Sequence, residues 1–434
     1  MYNLVSFAGI FILMTVAWLL SSDRKVVNWR VIFWGTVLQM IFALFIFVIP
    51  AGSKTFLLVN DAVVKVLDSA TAGVRFLFGR LALPPGTKNE MGEESLGFIL
   101  AFQALPTIIF FASFMGILYY IGIMPWLIKI FSRTFTRLMR ISGAESLSVS
   151  SNIFVGVEAN MTVLPYLDKM TRSEFCTILA AGMSTTASSV LALYVFILQK
   201  NFPTIAGHLV SASIISAIGA IVMSKLIMPE TEKPDTMGLD ITPYYQKESS
   251  VMEAIINNAN DGLKMVAGIV ALLLAFLGIV ALADFLVGSM GVRLNNLTGM
   301  QMDWTLKGLL GYLCYPFTLI IGVPFSDAFE ISRLIGERAV LTEVKSYQDL
   351  AVLLSSGSLH DPRSAVLAAY ALNGFAHFAS LAIFVGGTAA LVPKRSRDIS
   401  AVGFRALIAA TLACLMTAAV AGTFFNGGSI LLGK

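Results

Sequence analysis

The sequence predicts an all-α integral membrane protein, built from eight transmembrane helices, two opposed re-entrant hairpins and interfacial helices in an inverted repeat. Three observations lead to this prediction. Of the 434 residues, 57% are hydrophobic and 13% are charged, whereas soluble domains carry about 25% charged residues. Apolar runs of about 20 residues, the length that spans a bilayer, recur along the chain. Two shorter apolar stretches, each interrupted by glycine and carrying an acid, resemble one another.

Eight apolar runs are long enough to span a membrane. They cover residues 4–20, 31–50, 98–121, 175–198, 203–228, 265–287, 365–391 and 404–425. Basic residues cluster in the segments 21–30, 122–174, 229–264 and 392–403. Because lysine and arginine favour the cytoplasmic side, we expect both termini to lie outside. The first run lacks a preceding basic region and a small-residue cleavage site, which favours a transmembrane helix over a signal peptide.

Other functional classes find little support in the sequence. The net charge is +4, and the positive residues fall in short loops, as membrane orientation requires. The cysteines are far apart in apolar runs and are predicted to be buried thiols. The histidines are too scattered to predict a metal cluster. The enzyme motifs HExxH, GxSxG and GxGD do not occur in the sequence, so we predict no enzymatic activity.

Two further segments, 53–80 and 124–141, are amphipathic at helical spacing. In the second, four basic residues oppose leucine, isoleucine and phenylalanine side chains. Basic amphipathic helices of this kind lie in the membrane interface, and we predict that position for both segments. The alternative is a helix in a solvated loop.

The stretches 146–167 and 313–341 are apolar but contain glycine, proline and small polar residues, with an acid near the middle. Treating either stretch as a span would invert the charge pattern of the later loops. A re-entrant hairpin, which enters and leaves on one side, preserves that pattern. Because non-helical backbone at membrane depth is tolerated only beside protein or a water-filled cavity, we predict a site at each tip.

The two halves of the chain show an internal repeat. FVGVEA (154–159) resembles IGVPFSDA (321–328), and the helices that follow contain GMSTTAS (182–188) and GFAHFAS (374–380) in the same frame. Transporters place their sites at the interface of such inverted repeats, although small-residue helix packing also produces this pattern. The predicted divisions are scaffold spans 1–3 (1–145), the first hairpin with spans 4–5 (146–228), a loop with scaffold span 6 (229–312), and the second hairpin with spans 7–8 (313–434).

Hydroxyl and small residues fill the middle of one predicted span at GMSTTASS (182–189). Serine and threonine in lipid usually bond back to the preceding turn or pack between helices. The functional alternative is a local unwinding that frees carbonyl oxygens for a hard cation. Thr171 and Glu174 have the spacing of a capping box, and we predict that they begin this helix.

Charged residues inside a membrane are costly and usually mark a transport path. Glu158 and Asp327, one on each predicted tip, are therefore predicted to act in binding. Glu330 lies three residues before Arg333 and is predicted to form a structural pair with it. His377 sits in the middle of a predicted span, where it either packs in the core or, facing a polar cavity, binds substrate or carries a proton.

Several motifs together resemble the concentrative nucleoside transporter family, whose members are cation-coupled nucleoside symporters. The motifs are NIFVG (152–156), PYL (165–167), KLIMPETEKP (225–234), IGVP-x-x-[DE]-A (321–328) and NGFA-x-x-x-S-x-A-I (373–383). The resemblance extends over residues 1–425. It implies a homotrimer in the cytoplasmic (inner) membrane, with eight spans and two opposed hairpins in each protomer.

The resemblance also implies site residues. The family's sodium ligands correspond to Asn152 (side chain), Val155 and Thr186 (backbone carbonyls) and Thr185 (hydroxyl). Its substrate-binding positions correspond to Val157, Glu158, Val190, Asp327, Phe375, His377 and Ser380. In the family, groups of the first hairpin face the base, and the acid of the second hairpin faces the ribose together with a polar residue of the seventh span.

Some positions depart from the family pattern. The first tip reads GVE (156–158) where members commonly have G-Q-[ST]-E, and the second has Ser326-Asp327 in place of Asn-Glu. His377 replaces a common asparagine, and TEVKSY (342–347) replaces NEFVAY. A site built to hydrogen-bond one group discriminates strongly. We therefore expect the missing amide at the first tip to change base preference.

These observations lead to one main expectation and two alternatives. We expect a sodium-coupled symporter that imports nucleosides by alternating access. The first alternative is a proton-coupled transporter of nucleosides or related nucleobase compounds, which would use Glu158, Asp327 or His377. The second is a membrane receptor or enzyme that keeps the fold without transport.

Overall fold

A computed structural model describes residues 1–89, 92–244, 248–299 and 302–427. Across these ranges the regular structure is helical, and the β-type pairing consists of two isolated bridges. This confirms the predicted all-α class.

The first third of the chain contains six α-helices and a short 3₁₀-helix (Gly79–Ala82). The α-helices are α1 (Tyr2–Leu19), α2 (Trp29–Phe47), α3 (Pro50–Phe78), α4 (Leu100–Gln103), α5 (Thr107–Tyr120) and α6 (Ile123–Met139). The two predicted amphipathic segments coincide with α3 and α6. Proline at the start of α3 fits a first helical position, because the N–H that proline lacks would have no partner there.

The middle third holds the first hairpin and two long apolar helical segments. Its helices are α7 (Gly143–Asn152), a 3₁₀-helix (Val157–Val163), α8 (Leu164–Leu167), α9 (Arg172–Ser184), α10 (Ser188–Leu198) and α11 (Ile205–Ile227). The predicted capping box begins α9. The Thr171 hydroxyl accepts the Glu174 N–H at 3.1 Å, and the Glu174 carboxylate accepts the Thr171 N–H at 2.8 Å.

Seven α-helices and a short 3₁₀-helix (Pro393–Arg395) complete the described chain. The α-helices are α12 (Val251–Thr298), α13 (Leu306–Ile320), α14 (Phe325–Val340), α15 (Glu343–Ser355), α16 (Pro362–Ala371), α17 (Phe378–Leu391) and α18 (Ser396–Phe424). α12 begins well before the predicted span 265–287. Its extension starts at a cap, since the Ser250 hydroxyl accepts the Glu253 N–H at 3.1 Å.

Seven helical segments of the described chain are long and apolar enough to cross a membrane. They are α1, α2, α4 with α5, α9 with α10, α11, α12 and α18. The remaining predicted span, 365–391, which is the seventh in chain order, is divided at residues 372–377 into α16 and α17. α18 packs against α1, α9, α11 and α16 in the buried centre. Alanine, glycine and serine are frequent in α11, and such small residues let helix axes approach closely.

The first hairpin consists of α7, a tip at residues 153–156, and the 3₁₀-helix continued by α8. An ion pair attaches the α7 arm of this hairpin to α11. Glu145 on α7 is buried and lies 2.8 Å from Nζ of Lys225, which is buried at the end of α11. Breaking a buried pair of this kind leaves an uncompensated charge, so the pair fixes the hairpin against α11.

The second predicted tip lies elsewhere than expected. Residues 321–324 form a turn between the antiparallel helices α13 and α14. The Ser6 hydroxyl donates to the Ile321 carbonyl at 2.7 Å, and Arg363 Nε donates to the Gly322 carbonyl at 2.8 Å. Because Ser6 belongs to the start of α1, the predicted tip 321–328 lies at an end of the helix bundle and not in its centre.

A different bend enters the interior. α14 and α15 run antiparallel and meet at residues 341–342, where the Ser346 hydroxyl donates to the Leu334 carbonyl at 3.0 Å. Arg338 at the end of α14 is fully buried and donates to the carbonyls of Ala371 and Asn373. This bend therefore lies beside the break between α16 and α17.

Candidate functional site

A cavity of about 350 Å³ lies between the first hairpin, helices α5, α10 and α12, and the loop before α12. Sites for small organic molecules have volumes in this range. Residues that line it include Phe154, Val155, Gly156 and Glu158 of the hairpin, Ala187 and Ser189 of the next break and helix, and Tyr119, Asn258 and Asp261 of the facing wall.

Glu158 is the acid of the first tip that faces this cavity, and its side chain is exposed there. Glu248 and Asp261 line the same space from the loop and from α12. Among the described lining residues there is no lysine or arginine. Carboxyl groups without a basic partner in the lining disfavour phosphorylated ligands and suit neutral or cationic ones.

The helix after the first hairpin is broken at residues 185–187, between α9 and α10. The Ser188 N–H donates to the Phe154 carbonyl at 3.0 Å, so the break contacts the hairpin tip. The Thr185 hydroxyl donates to the Ala181 carbonyl at 2.9 Å. Back-bonding and local unwinding, given as alternatives by the sequence, both occur at this break.

The second break, at residues 372–377, is bonded to the first. The Thr186 hydroxyl donates to Oδ1 of Asn373 at 2.9 Å, and Asn373 Nδ2 donates to the Ser184 carbonyl at 3.2 Å. Gly374 has φ +85°, and a Cβ there would lie 2.5 Å from the Ser184 carbonyl oxygen. Glycine is therefore required where the two breaks cross.

The residues assigned to sodium lie at the first tip and the first break. Asn152 is buried, and its Nδ2 donates to the Ser148 carbonyl at 3.0 Å. Its Oδ1 has no hydrogen-bond partner within the described residues, which is unusual for a buried polar atom. Val155 lines the cavity, and Thr185 and Thr186 are buried in the break. The candidate ligand atoms of these residues are all oxygens, which fits a hard cation.

A buried carboxylate that the sequence prediction missed lies at the interior bend. The Tyr194 hydroxyl donates to Oε1 of Glu343 at 2.6 Å, and His377 Nε2 lies 2.9 Å from Oε2 of Glu343. His377 also caps α17, because its Nδ1 accepts the Ser380 N–H at 3.2 Å. A neutral imidazole that accepts at Nδ1 carries its proton on Nε2, so this proton lies toward Glu343. The sequence signal that could have identified Glu343 was the acid within TEVKSY (342–347).

The other predicted substrate residues lie near the second break, in α10 and at the start of the 3₁₀-helix. The Ser380 hydroxyl donates to the carbonyls of Phe375 and His377 within the cap of α17. Phe375 is half-buried in the break, and Val190 is buried in the first turn of α10. Val190, Phe375, His377 and Ser380 do not line the described cavity. The backbone of Val157 begins the 3₁₀-helix, and its side chain lies outside the described part of the structure.

Asp327 is separated from Glu158. Its buried carboxylate accepts the N–H groups of His360 and Asp361, at 3.1 Å and 3.0 Å, and the Ser364 hydroxyl at 2.6 Å. These donors belong to the start of α16, where a negative charge is favourable. The structure therefore brings Glu158 to the cavity and uses Asp327 to hold a helix terminus.

Family comparisons cover most of the chain. The family described as Na+ dependent nucleoside transporter matches with its N-terminal part at residues 8–81 and its C-terminal part at residues 208–422. The family described as Gate, for nucleoside recognition, matches residues 101–201.

Individual relatives agree with the family comparison. The nucleoside permease NupC of Helicobacter pylori is 33% identical over 428 residues, which cover 98% of both chains. An uncharacterized transporter of Haemophilus influenzae is 33% identical, with 99% of both chains covered. Solute carrier family 28 member 3 of Mus musculus is 34% identical, and there the match covers 97% of this chain but 58% of the mouse protein. The chain thus spans little more than half of its mammalian relative.

Solved structures have the same architecture. The structure of CNTnw in an inward-facing substrate-bound state matches with a TM-score of 0.86 and 33% identity, over 98% of both chains. A variant of CNTnw in an outward-facing state matches with a TM-score of 0.85 and 32% identity. These comparisons confirm a transporter fold rather than an enzyme, and the chain belongs to the concentrative nucleoside transporter family.

Proposed function

We propose that this protein is a sodium-coupled symporter that imports nucleosides across the cytoplasmic membrane by alternating access. The observation that carries the proposal is the contact between an acid-bearing hairpin tip and a broken helix beside a cavity. Glu158 faces that cavity, and the Phe154 carbonyl accepts the Ser188 N–H at the break. Transporters bind substrate and ions at interrupted helices of this kind. The likeness to the nucleoside permease of H. pylori supports nucleosides as the substrate class.

The chemistry of the cavity favours a nucleoside over its phosphates. A carboxylate accepts hydrogen bonds only, so Glu158 would accept from N–H groups of the base. Glu343 would accept from a ribose hydroxyl, the role that the family pattern assigns to Asp327, because the carboxylate of Asp327 is already bonded to α16. Glu343 lies beyond the described cavity, so the proposal requires the bend at 341–342 to move during transport.

Sodium is proposed to bind the oxygens of Asn152, Val155, Thr185 and Thr186. An ion at this position would draw the first tip against the break and hold Glu158 in the binding geometry. By linkage, a cation that favours nucleoside binding is itself bound more tightly when the nucleoside is present, by the same factor. This reciprocal coupling provides the basis for symport.

Alternating access is proposed as a movement of the first hairpin and its helices against α5 and α12. Tyr244 and Glu248, from the loop predicted to be cytoplasmic, line the cavity. The Tyr244 N–H donates to the Thr162 carbonyl at 2.8 Å, so this loop is attached to the hairpin. Exposed apolar residues of α12, such as Leu274 and Phe285, would contact lipid or the other protomers of a homotrimer, with both termini outside.

The test is uptake by proteoliposomes that contain the purified protein. A panel of labelled nucleosides and free bases is offered, with sodium and proton gradients imposed separately. We expect accumulation of at least one nucleoside that follows the sodium gradient and is greatly reduced in Glu158→Gln. Accumulation that follows only the proton gradient would show that the coupling ion is a proton and not sodium. Uptake of every nucleoside without any dependence on sodium would overturn the proposal.

A further inference from the structure

We propose that Tyr194 is a positioning residue, which orients the Glu343 carboxylate so that its second oxygen is presented to a hydroxyl group of the transported nucleoside. This inference rests on the proposed function, since it specifies how one acid of that site is held. Tyr194 lies on α10, whereas Glu343 lies on α15. The contact thus joins the helix after the first break to the interior bend.

The contact has the geometry of a strong hydrogen bond. The Tyr194 hydroxyl lies 2.6 Å from Oε1 of Glu343, and both residues are buried. Hydroxyl donors reach this separation when the acceptor is a carboxylate. A carboxylate is planar, so a fixed Oε1 also fixes the direction in which Oε2 points.

The second oxygen of Glu343 faces the break between α16 and α17 and keeps acceptor capacity. Oε2 is buried, and His377 Nε2, whose proton lies toward Glu343, is 2.9 Å away. A carboxylate oxygen has two lone pairs, so Oε2 can accept from His377 and from one further donor. Beside a break in a membrane helix, this remaining position is suited to accept a hydrogen bond from a ligand hydroxyl.

Tyr194 is itself held in place by a second tyrosine. The rings of Tyr194 and Tyr347 have their centroids 4.5 Å apart at an angle of 33°. Tyr347 follows Glu343 by one turn of α15, and its hydroxyl donates to the Ala369 carbonyl of α16 at 3.0 Å. Both tyrosines are fully buried. The orientation of Tyr194 is therefore set by packing, and its hydroxyl group transmits that orientation to Glu343.

The pair provides a matched test, because each ring can lose its hydroxyl without losing its packing. Tyr194→Phe and Tyr347→Phe are compared with the parent protein in sodium-driven uptake by proteoliposomes. We expect Tyr194→Phe to raise KM about tenfold, the effect of one lost hydrogen bond to a charged group, with a smaller change in maximal rate. Tyr347→Phe is expected to keep KM within about twofold, since its hydroxyl bonds only to backbone.

A second comparison separates positioning from general packing. Uptake is repeated with the same nucleoside lacking the 2′-hydroxyl, the 3′-hydroxyl or both. For the analogue that lacks the hydroxyl accepted by Glu343, the effect of Tyr194→Phe on KM should disappear, as expected for two groups that act through one contact. Glu343→Gln should likewise abolish the difference between Tyr194 and its phenylalanine variant.

Equal losses in both tyrosine variants for every substrate would overturn the inference and assign Tyr194 to packing. If Tyr194→Phe does not fold, 3,5-difluorotyrosine at position 194 keeps the ring and strengthens the donor. It should then change KM for the parent nucleoside but not for the deoxy analogue, and an equal change in both would again contradict the inference. Failure of the parent protein to transport any nucleoside would instead reject the proposed function.

Discussion

The hydroxyl of Thr186 donates to Oδ1 of Asn373 across 2.9 Å and joins the breaks of two membrane helices. The same hydroxyl accepts the Gly374 N–H at 3.2 Å, so it bonds to two successive residues of the second break. Backbone groups freed by a helix break inside a membrane must find partners within the protein. Each break therefore supplies partners to the other, and a change at one is transmitted to both.

Thr186→Val keeps the shape of the side chain and removes this shared hydroxyl. Asn373 Oδ1 and the Gly374 N–H would lose their partner in a buried site, at a cost of about 1–3 kcal/mol for each unsatisfied group. We expect a lower thermal midpoint in detergent and a clear loss of sodium-driven uptake. Thr411→Val is the matched control, because the Thr411 hydroxyl only bonds back to the Leu407 carbonyl within α18. Equal midpoints for the two variants would contradict this account.

The sequence predicted the first tip and the helix break that follows it because the signals for both are local. Glycine and an acid mark the tip, and the run of small hydroxyl residues marks the break that follows. Glu343 was missed because its partners, Tyr194 and His377, are distant in sequence and meet it only through packing. Similarity to the first tip drew the prediction to 321–328, where glycine and proline form an ordinary turn.

Tertiary packing decides which of the two predicted acids, Glu158 and Asp327, faces the cavity. A sequence shows that Asp327 lies in an apolar stretch, but not that groups of His360, Asp361 and Ser364 at the start of α16 surround its carboxylate. The span at 365–391 illustrates the same limit. Its composition is that of one continuous helix, and the break within it is stabilised by contacts to Thr186 and Ser184 from another part of the chain.

Asp327→Asn should reduce stability rather than nucleoside affinity. In the wild-type protein the carboxylate accepts hydrogen bonds from these N–H groups, whereas the new amide nitrogen would face them with a second donor. Hydrogen bonds to charged groups contribute about 1.5–3 kcal/mol. We expect a lower thermal midpoint and an unchanged KM in the folded fraction. Asp361→Asn is the control, since asparagine also caps a helix well. A large rise in KM with an unchanged midpoint would return Asp327 to the substrate site.

Glu158→Gln should raise the KM for nucleosides at least tenfold, because a carboxylate that accepts from the base would be replaced by a neutral amide. Glu248→Gln tests whether the effect is only the negative charge of the cavity. Glu248 lines the same cavity, but it belongs to the loop and accepts from Asn257 at 3.2 Å on the exposed surface. Its variant is expected to stay within about twofold of the parent protein, since exposed charges are well screened. Similar losses in both variants would remove the special role of Glu158.

Asn152→Ala should weaken the response to sodium. The variant deletes the buried Oδ1 that has no protein partner in the described chain, and a lost oxygen ligand is expected to raise the half-saturating sodium concentration about tenfold. Ser150→Ala serves as the control, because the buried Ser150 hydroxyl bonds back to the Ser146 carbonyl at 2.7 Å. The measurement is initial uptake against sodium concentration at fixed ionic strength. A sodium curve that coincides with that of the parent protein would exclude Asn152 as a ligand.

Asp261→Asn should change the discrimination between charged and neutral substrates. Asp261 lines the wall that faces Glu158, and its carboxylate lies 2.8 Å from Lys264 Nζ, with both side chains largely exposed. An exposed pair of this kind contributes at most about 1 kcal/mol to stability, so either side chain can be changed without unfolding the protein. The variant removes one negative charge from the cavity wall.

The expected readout is competition between a neutral nucleoside and an analogue that carries a protonated 5′-amino group. Asp261→Asn should lower the relative uptake of the cationic analogue about threefold to tenfold, the size of a Coulomb interaction at partial screening. Lys264→Gln should raise it, because Asp261 would then be uncompensated. Both effects should shrink when choline chloride is added at constant sodium, since salt screens exposed charges. Equal changes for the neutral and cationic substrates would show that Asp261 acts on the shape of the wall and not through its charge.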